Sequence, residues 1–140
     1  MKGVARLQRE TKINVGIGFV TGRKSFQRVL KTNIYNWRES GLTEKDTIRL
    51  NLLAAYDLKY SNTQTGDYTS VNRHLLNLID ETYFIGRSAI HKETENLIWE
   101  GVVNEAEARL IFGRGYAAKR NIVLYTALKN KMNYLVFLDD

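Results

Sequence analysis

The apolar residues of this chain form short segments whose spacing predicts the secondary structure. Residues 13–20 are almost continuously apolar and short enough for a strand buried on both faces, as strands of parallel sheets are. The next segment has apolar residues at spacings of three and four and stops before Gly41, which predicts an amphipathic helix. Its apolar positions are Phe26, Val29, Leu30, Ile34 and Trp37. A second apolar segment, Ile48–Tyr56, predicts a second strand.

The middle of the chain predicts shorter elements. After a polar loop at residues 61–67, we expect a helix over residues 70–80 and a short strand over residues 82–85. Residues 89–101 are of mixed character, and their pattern predicts no particular element. Trp99 lies in this segment, and we expect it either in the core or as a cover over a site.

The last third predicts two helices and a strand. Asn104 and Glu107 have the cap-and-acid spacing of a helix start, and this helix should reach Phe112. Beyond two glycines, an apolar series predicts a second helix, with Ala118, Ile122, Tyr125, Leu128 and Met132 on one side. The apolar run that begins at Tyr134 predicts the last strand.

Strands that alternate with helices and are apolar along most of their length are typical of α/β proteins. We therefore expect an α/β fold with an open, mostly parallel sheet, flanking helices and a Rossmann-like arrangement. The chain has 140 residues, enough for one hydrophobic core and not for two, so residues 1–140 should form a single domain.

Composition narrows the chemistry. The chain contains no Cys and two His, which excludes disulfides and thiolate zinc sites, so any metal would have to be a hard cation held by carboxylates. A net charge of +6 favours an anionic partner. No apolar run approaches the roughly 18 residues of a membrane span, and residues 1–6 precede no hydrophobic stretch, so we expect a cytoplasmic protein without a signal peptide.

Polar residues end three of the predicted strands. They are Thr21, Gly22 and Arg23 after the first strand, Asp57 after the second, and Asp139 and Asp140 after the last. Ligands of open α/β sheets bind beyond the carboxyl ends of the strands, so these groups should converge on one edge. Carboxylates fixed there could hold Mg²⁺ or Mn²⁺ together with substrate phosphates. The alternative is that the paired acids are simply an exposed strand end.

Two glycine-containing segments call for separate interpretations. Gly16 and Gly18, with Gly22 nearby, suggest a dinucleotide fingerprint, but Thr21 stands where the third glycine belongs, and the first two lie inside the strand. Close packing of a helix against the sheet is the better explanation. Residues 113–121 instead place three cations around a helix start, which points to a phosphate ligand, with a solvated basic face as the alternative.

These features together resemble the nucleotide-sugar-binding half of a GT-A glycosyltransferase. The resemblance spans residues 13–140 and is strongest over residues 115–140, where a Gly-Tyr-Ala-Ala-Lys-Arg-Asn helix start leads to a strand ending Phe-Leu-Asp-Asp. The loop after the first strand resembles a shortened form of the family's loop. The second strand ends in one acid, Asp57, where many members have two.

The resemblance implies a role for each matching residue. Thr21 and Arg23 would line the nucleotide pocket with Gly22, and Asp57 would hydrogen-bond the base. Arg120, Asn121 and Arg114 would contact the base or the diphosphate. Asp139 would contact the ribose, and Asp140, beside Asp139, would bind Mn²⁺ or Mg²⁺. The implied activity is transfer of a sugar from a nucleoside-diphosphate sugar to a glycan, lipid or protein acceptor. The resemblance implies no nucleic-acid partner, and it implies peripheral association of the protein with the cytoplasmic face of the membrane.

Family members continue well beyond the acidic motif into the acceptor half. We therefore expect the chain to be the N-terminal part of a longer enzyme, with the catalytic residues of the acceptor half unidentified and the 140 residues inactive alone. Two other functions stay open: a Mg²⁺-dependent phosphoryl-transfer or receiver-like α/β domain, and a basic nucleic-acid-binding module.

Overall fold

Four strands and six α-helices alternate along residues 12–58 and 62–140, the part of the chain that the computed structural model describes. The strands are β1 (Ile13–Thr21), β2 (Ile48–Tyr56), β3 (Glu81–Ile85) and β4 (Tyr134–Leu138). The helices are α1 (Phe26–Glu39), α2 (Gly66–Thr69), α3 (Arg73–Leu76), α4 (Arg87–Trp99), α5 (Glu105–Phe112) and α6 (Tyr116–Lys129), with a 3₁₀ turn at Leu42–Glu44.

The four strands form one all-parallel sheet in the order β3-β2-β1-β4. In this sheet Ile17 of β1 lies between Leu52 of β2 and Val136 of β4. The connection from β3 to β4 contains α4, α5 and α6 and returns the chain to the far side of β1. The predicted α/β class with a parallel sheet and flanking helices is therefore confirmed.

The hydrophobic core consists of two clusters, one on each face of the sheet, because successive side chains of a strand point to opposite faces. On one face Ile17 and Phe19 of β1 pack with the buried positions of α1. On the other face Val20 packs with buried residues of α4, α5 and α6, including Val123. Helices on both faces explain why β1 and β2 are almost continuously apolar.

Two glycines of β1 allow α6 and the segment after it to lie close to the sheet. A Cβ atom at Gly18 would lie 2.8 Å from Val123 Cγ1, and one at Gly16 would lie 2.6 Å from Met132 Sδ. Side chains at either position would displace these neighbours. The predicted role in close packing of a helix against the sheet is confirmed for Gly18, whereas Gly16 lies against Met132, after the end of α6.

The helix predicted over residues 70–80 was too long. Helical structure there is confined to Arg73–Leu76, which begins after Asn72, whose side chain accepts a hydrogen bond from His74 N at 2.8 Å. At the other end Asp80 pairs with β2: its N donates to Leu50 O at 2.8 Å and its Oδ2 accepts from Leu50 N at 2.7 Å. Because Asp80 is bonded to β2 directly before β3 begins, the end of this segment is extended and not helical.

The mixed segment that predicted no element is the helix α4. Its buried residues are Ile90 and Leu97, and such a sparse apolar pattern explains why periodicity failed to identify it. Trp99, expected in the core or over a site, is 91% exposed, so that expectation was wrong.

The remaining boundaries differ by small amounts. α2 begins at Gly66, inside the predicted polar loop, and α6 ends at Lys129 before the predicted stripe does. Residue 61 of that loop lies outside the described residues, as do residues 1–6, on which the signal-peptide prediction rests. Among the described residues, no helix has the length and apolar character needed to cross a membrane.

Candidate functional site

A cavity of about 630 Å³ lies where β1 and β4 end. From β1 the chain continues to β2 and β3 on one side of β1, and it then returns through a long connection to β4 on the other side. The direction in which strands are added to the sheet therefore reverses between β1 and β4. Reversal points at the carboxyl ends of parallel strands are the usual ligand sites of open α/β sheets. The lining residues are Val20, Thr21, Gly22, Arg23, Asp57, Gly115, Tyr116, Lys119, Asp139 and Asp140.

The structure brings together most of the residues predicted from the strand ends. Those that line the cavity are Thr21, Gly22, Arg23, Asp57, Asp139 and Asp140. Their convergence follows from the parallel sheet, because β1, β2 and β4 all end at the same edge. Three carboxylates, an exposed guanidinium and a buried hydroxyl therefore surround one space.

Thr21 joins three strand ends at the floor of this cavity. Its side chain is 4% exposed, and its hydroxyl donates a hydrogen bond to Asp140 Oδ2. Its carbonyl accepts from Asp57 N at 3.0 Å, and its Oγ1 accepts from Arg23 N at 3.4 Å. These bonds orient Asp140 and hold the start of the loop that carries Arg23.

Lys119 supplies the most enclosed cation of the lining. Its Nζ lies 3.9 Å from Asp57 Oδ2 and donates to Gly113 O at 3.4 Å. The exposed fractions of the two charged side chains are 13% for Lys119 and 23% for Asp57, so solvent screens the pair only partly. The sequence signalled Lys119 only as one of the cations around a helix start, and it was not predicted as a site residue.

The N-terminal end of α6 forms one wall of the cavity. Gly115, which precedes the helix with a φ of +98°, has a backbone conformation that favours glycine, and no side chain caps the helix there. The next residue, Tyr116, is 52% exposed, and its hydroxyl donates to Asp139 Oδ1 at 3.4 Å. Neither Gly115 nor Tyr116 was predicted to be part of the site.

Three predicted residues do not appear in the cavity lining. The Arg120 guanidinium lies over the Phe137 ring, 4.3 Å from its centroid. The Asn121 Nδ2 atom donates to Ile111 O at 2.8 Å near the end of α5. Arg114 is exposed. Contacts between these three residues and a nucleotide stay predictions, because the geometry gives them no direct support.

The metal prediction rests on Asp139 and Asp140, which line the cavity side by side in sequence. Within residues 12–58 and 62–140, no three acidic or histidine side chains are grouped so that they could hold a metal ion. Carboxylates are suitable ligands for Mg²⁺ and Mn²⁺, and Mg²⁺ in particular is often bound by one or two carboxylates plus substrate phosphates and water. Two carboxylates are suitable for an ion whose coordination a substrate completes, and metal binding at Asp139 and Asp140 stays a prediction.

Shifted pKa values occur outside this cavity, between α4 and α6. Burial, together with the nearby Glu93 carboxylate, raises the pKa of Tyr125. The hydrogen bond from Lys129 to Glu93, with an Nζ to Oε1 distance of 2.7 Å, raises the pKa of Lys129. Glu93 thus connects the two helices.

Comparison of the chain with protein-family models, with curated proteins and with solved structures finds no match. The fold places the chain in the α/β class, and its four-stranded parallel sheet is compatible with a Rossmann-like arrangement.

Proposed function

We propose that this chain is the donor-binding part of a GT-A-type glycosyltransferase that uses a nucleoside-diphosphate sugar and a divalent metal. The observation that carries the proposal is the convergence of Thr21, Arg23, Asp57, Asp139 and Asp140 on one cavity at the carboxyl edge of the sheet. These are residues to which the sequence resemblance gives donor-binding roles. The cavity volume of about 630 Å³ is within the range of small-molecule sites.

The wall formed by α6 supports a diphosphate as the anionic portion of the ligand. Helix N-termini attract anions through backbone N–H groups that have no partner within the helix. Lys119, at the end of the first turn of α6, and Arg23, which also lines the cavity, add positive charge. Lys119 takes the place in the lining that the resemblance gave to Arg120, and we assign to it the contact with the phosphates.

The three carboxylates divide into two groups. Asp57 would accept a hydrogen bond from the base, with Lys119 holding its side chain in place. Asp139 would contact the ribose, and Asp140, oriented by Thr21, would bind Mn²⁺ or Mg²⁺ with Asp139 beside it. When bound, such an ion supplies Lewis-acid stabilisation of the charge that develops on the leaving diphosphate.

The strand order disfavours the alternative of a receiver-like domain. Receiver domains of the flavodoxin-like order 2-1-3-4-5 have β3 beside β1. In this chain the neighbours of β1 are β2 and β4, and the acid pair follows the edge strand β4. The acceptor and the cytoplasmic location stay predictions.

Calorimetry with UDP and GDP, each with and without Mn²⁺, tests the proposal on the full chain. We expect metal-dependent binding of one nucleotide. Asp57→Ala, Asp140→Ala and Lys119→Met should each weaken this binding at least about tenfold, because charge-assisted hydrogen bonds contribute about 1.5–3 kcal/mol. Asp46→Ala, which removes an exposed acid before β2, is the matched control and should bind like the unmodified chain.

Two results would contradict the proposal. One is the absence of metal-dependent nucleotide binding, or binding that neither aspartate substitution changes. The other is tight, metal-independent and strongly salt-dependent binding of duplex or single-stranded oligonucleotides, which would favour the nucleic-acid module instead.

A further inference from the structure

One of the positively charged stretches of the chain lies on and beside α1. Between Arg23 and Glu39 the sequence contains five cations and one acid, whereas the whole chain carries a net charge of +6. The segment therefore carries a local net charge of +4. The acid is Glu39, the last residue of α1.

The cations share one side of the helix. Arg28, Lys31 and Arg38, with Tyr35 among them, follow spacings of three and four and so fall within an arc of about 80° at about 100° per residue. Lys24, just before α1, continues the same spacing. All five side chains are exposed, and the opposite side of α1 is buried against the sheet. We call Lys24, Arg28, Lys31 and Arg38 the basic face.

No other described residue neutralises this face: among residues 12–58 and 62–140, its four cations form no ion pair. Two of them instead lie over the Tyr35 ring, with the Lys31 Nζ 5.9 Å and the Arg38 Cζ 5.3 Å from its centroid. From Arg28 to Arg38 the face is about 15 Å long at a rise of about 1.5 Å per residue. Three cations over this length, with Lys24 just before the helix, suit an extended anionic surface better than a single anion.

We propose that the basic face binds a membrane surface rich in anionic lipid. A bilayer offers negative headgroups over a broad plane, and each Lys or Arg near such a surface adds a similar increment of affinity. The apolar side of α1 is committed to the core, so binding would be electrostatic and peripheral. Tyr35 is the one aromatic residue of the face and its ring lies beside cations, whereas single-stranded nucleic acid is bound on several open aromatic platforms.

The basic face begins beside the candidate donor site. Arg23 lines the cavity, and Lys24 follows it directly in the chain. Membrane binding through α1 would therefore bring the cavity close to the lipid headgroups. The proposal about the basic face does not depend on nucleotide binding, since none of its four cations lines the cavity.

Co-sedimentation with phosphatidylcholine vesicles, with and without phosphatidylserine, tests this proposal. The full chain should bind only the vesicles that contain phosphatidylserine, and added salt should release it. Lys24→Gln, Arg28→Gln, Lys31→Gln and Arg38→Gln together should weaken binding at least about a hundredfold, at about fivefold per cation. Gln has nearly the helix propensity of Lys and Arg, so α1 should be retained.

The matched control removes the same charge elsewhere. Arg73→Gln, Arg87→Gln, Lys92→Gln and Lys131→Gln change four exposed cations outside the basic face and the cavity, and this variant should bind within a few-fold of the unmodified chain. Equal losses in both variants would show an effect of net charge alone and overturn the proposal. Failure of the unmodified chain to bind phosphatidylserine would do the same.

Acetylation footprinting needs no variant. Phosphatidylserine vesicles should protect Lys24 and Lys31 from acetylation and leave Lys92 and Lys131 reactive. Uniform protection or none would contradict the proposal. Tighter binding of an oligonucleotide than of vesicles at the same salt, with loss in the basic-face variant, would assign the face to nucleic acid instead.

Discussion

Thr21 shows how one buried polar side chain can organise a site. It ends β1, accepts a hydrogen bond from the backbone of Asp57 and donates one to Asp140. A buried hydroxyl needs such a partner, since an unsatisfied one is costly. Thr21 therefore contributes to the fold and sets the position of a carboxylate at the same time.

Replacing Thr21 with Val tests this role while keeping the shape of the side chain. We expect Thr21→Val to lower the free energy of unfolding by about 1–3 kcal/mol, because the Asp140 carboxylate loses its donor. Urea denaturation measures the change. Thr32→Val, which removes an exposed hydroxyl bonded to Arg28 O, is the control and should stay within about 0.5 kcal/mol of the unmodified chain. Equal stabilities for the two variants would contradict the role assigned to Thr21.

At the scale of elements, the sequence predicted those helices that have a clear apolar periodicity or a capping motif. The start of α5 is a capping box, with Glu107 N bonded to Asn104 Oδ1 at 2.8 Å and Asn104 N bonded to Glu107 Oε1 at 3.1 Å. The sequence predicted this start correctly because both bonds are local. α4 has no capping side chain at Gly86 and few buried positions, so its formation depends on packing with β3 and α5.

The capping box can be tested by substitution. Asn104→Ala should lower the free energy of unfolding by about 1 kcal/mol, because the N–H of Glu107 loses its acceptor. Thermal or urea denaturation gives the value. Asn36→Ala, at an exposed position within α1, should be neutral or slightly stabilising, since Ala favours helix interiors. A loss of the same size in both variants would argue against the capping role.

At the scale of the whole molecule, the stability should be centred on the two inner strands. β1 and β2 each pair with a strand on both sides and contain the longest series of buried residues. β4 is an edge strand, and Tyr134 and Val136 on it are exposed. Local opening should therefore cost least at the edges of the sheet.

Hydrogen exchange followed by mass spectrometry measures this difference. Amides of β1 and β2 should exchange at least about tenfold more slowly than those of β4, because they open only when most of the core opens. The β1 segment and the β4 segment lie side by side, which makes them an internal comparison. Equal protection of both strands would show that the sheet opens as one unit.

The sequence by itself determined the α/β class, the four strands and the residues at the strand ends. It could do so because strand periodicity, glycine stops and capping pairs are local properties of the chain. Thr21, Asp57 and Asp140 were found in this way, since parallel strands must end at a common edge.

Only the tertiary structure decided which cation enters the cavity and what α4 packs against. Lys119 and Arg120 are adjacent in sequence, and the rotation of α6 on the sheet directs Lys119 to Asp57 and Arg120 to the Phe137 ring. A helix turns about 100° per residue, so which of two neighbouring cations reaches a site depends on the packing of the whole helix. The close approach of α6 to the sheet depends on Gly18, which lies in a different element, β1.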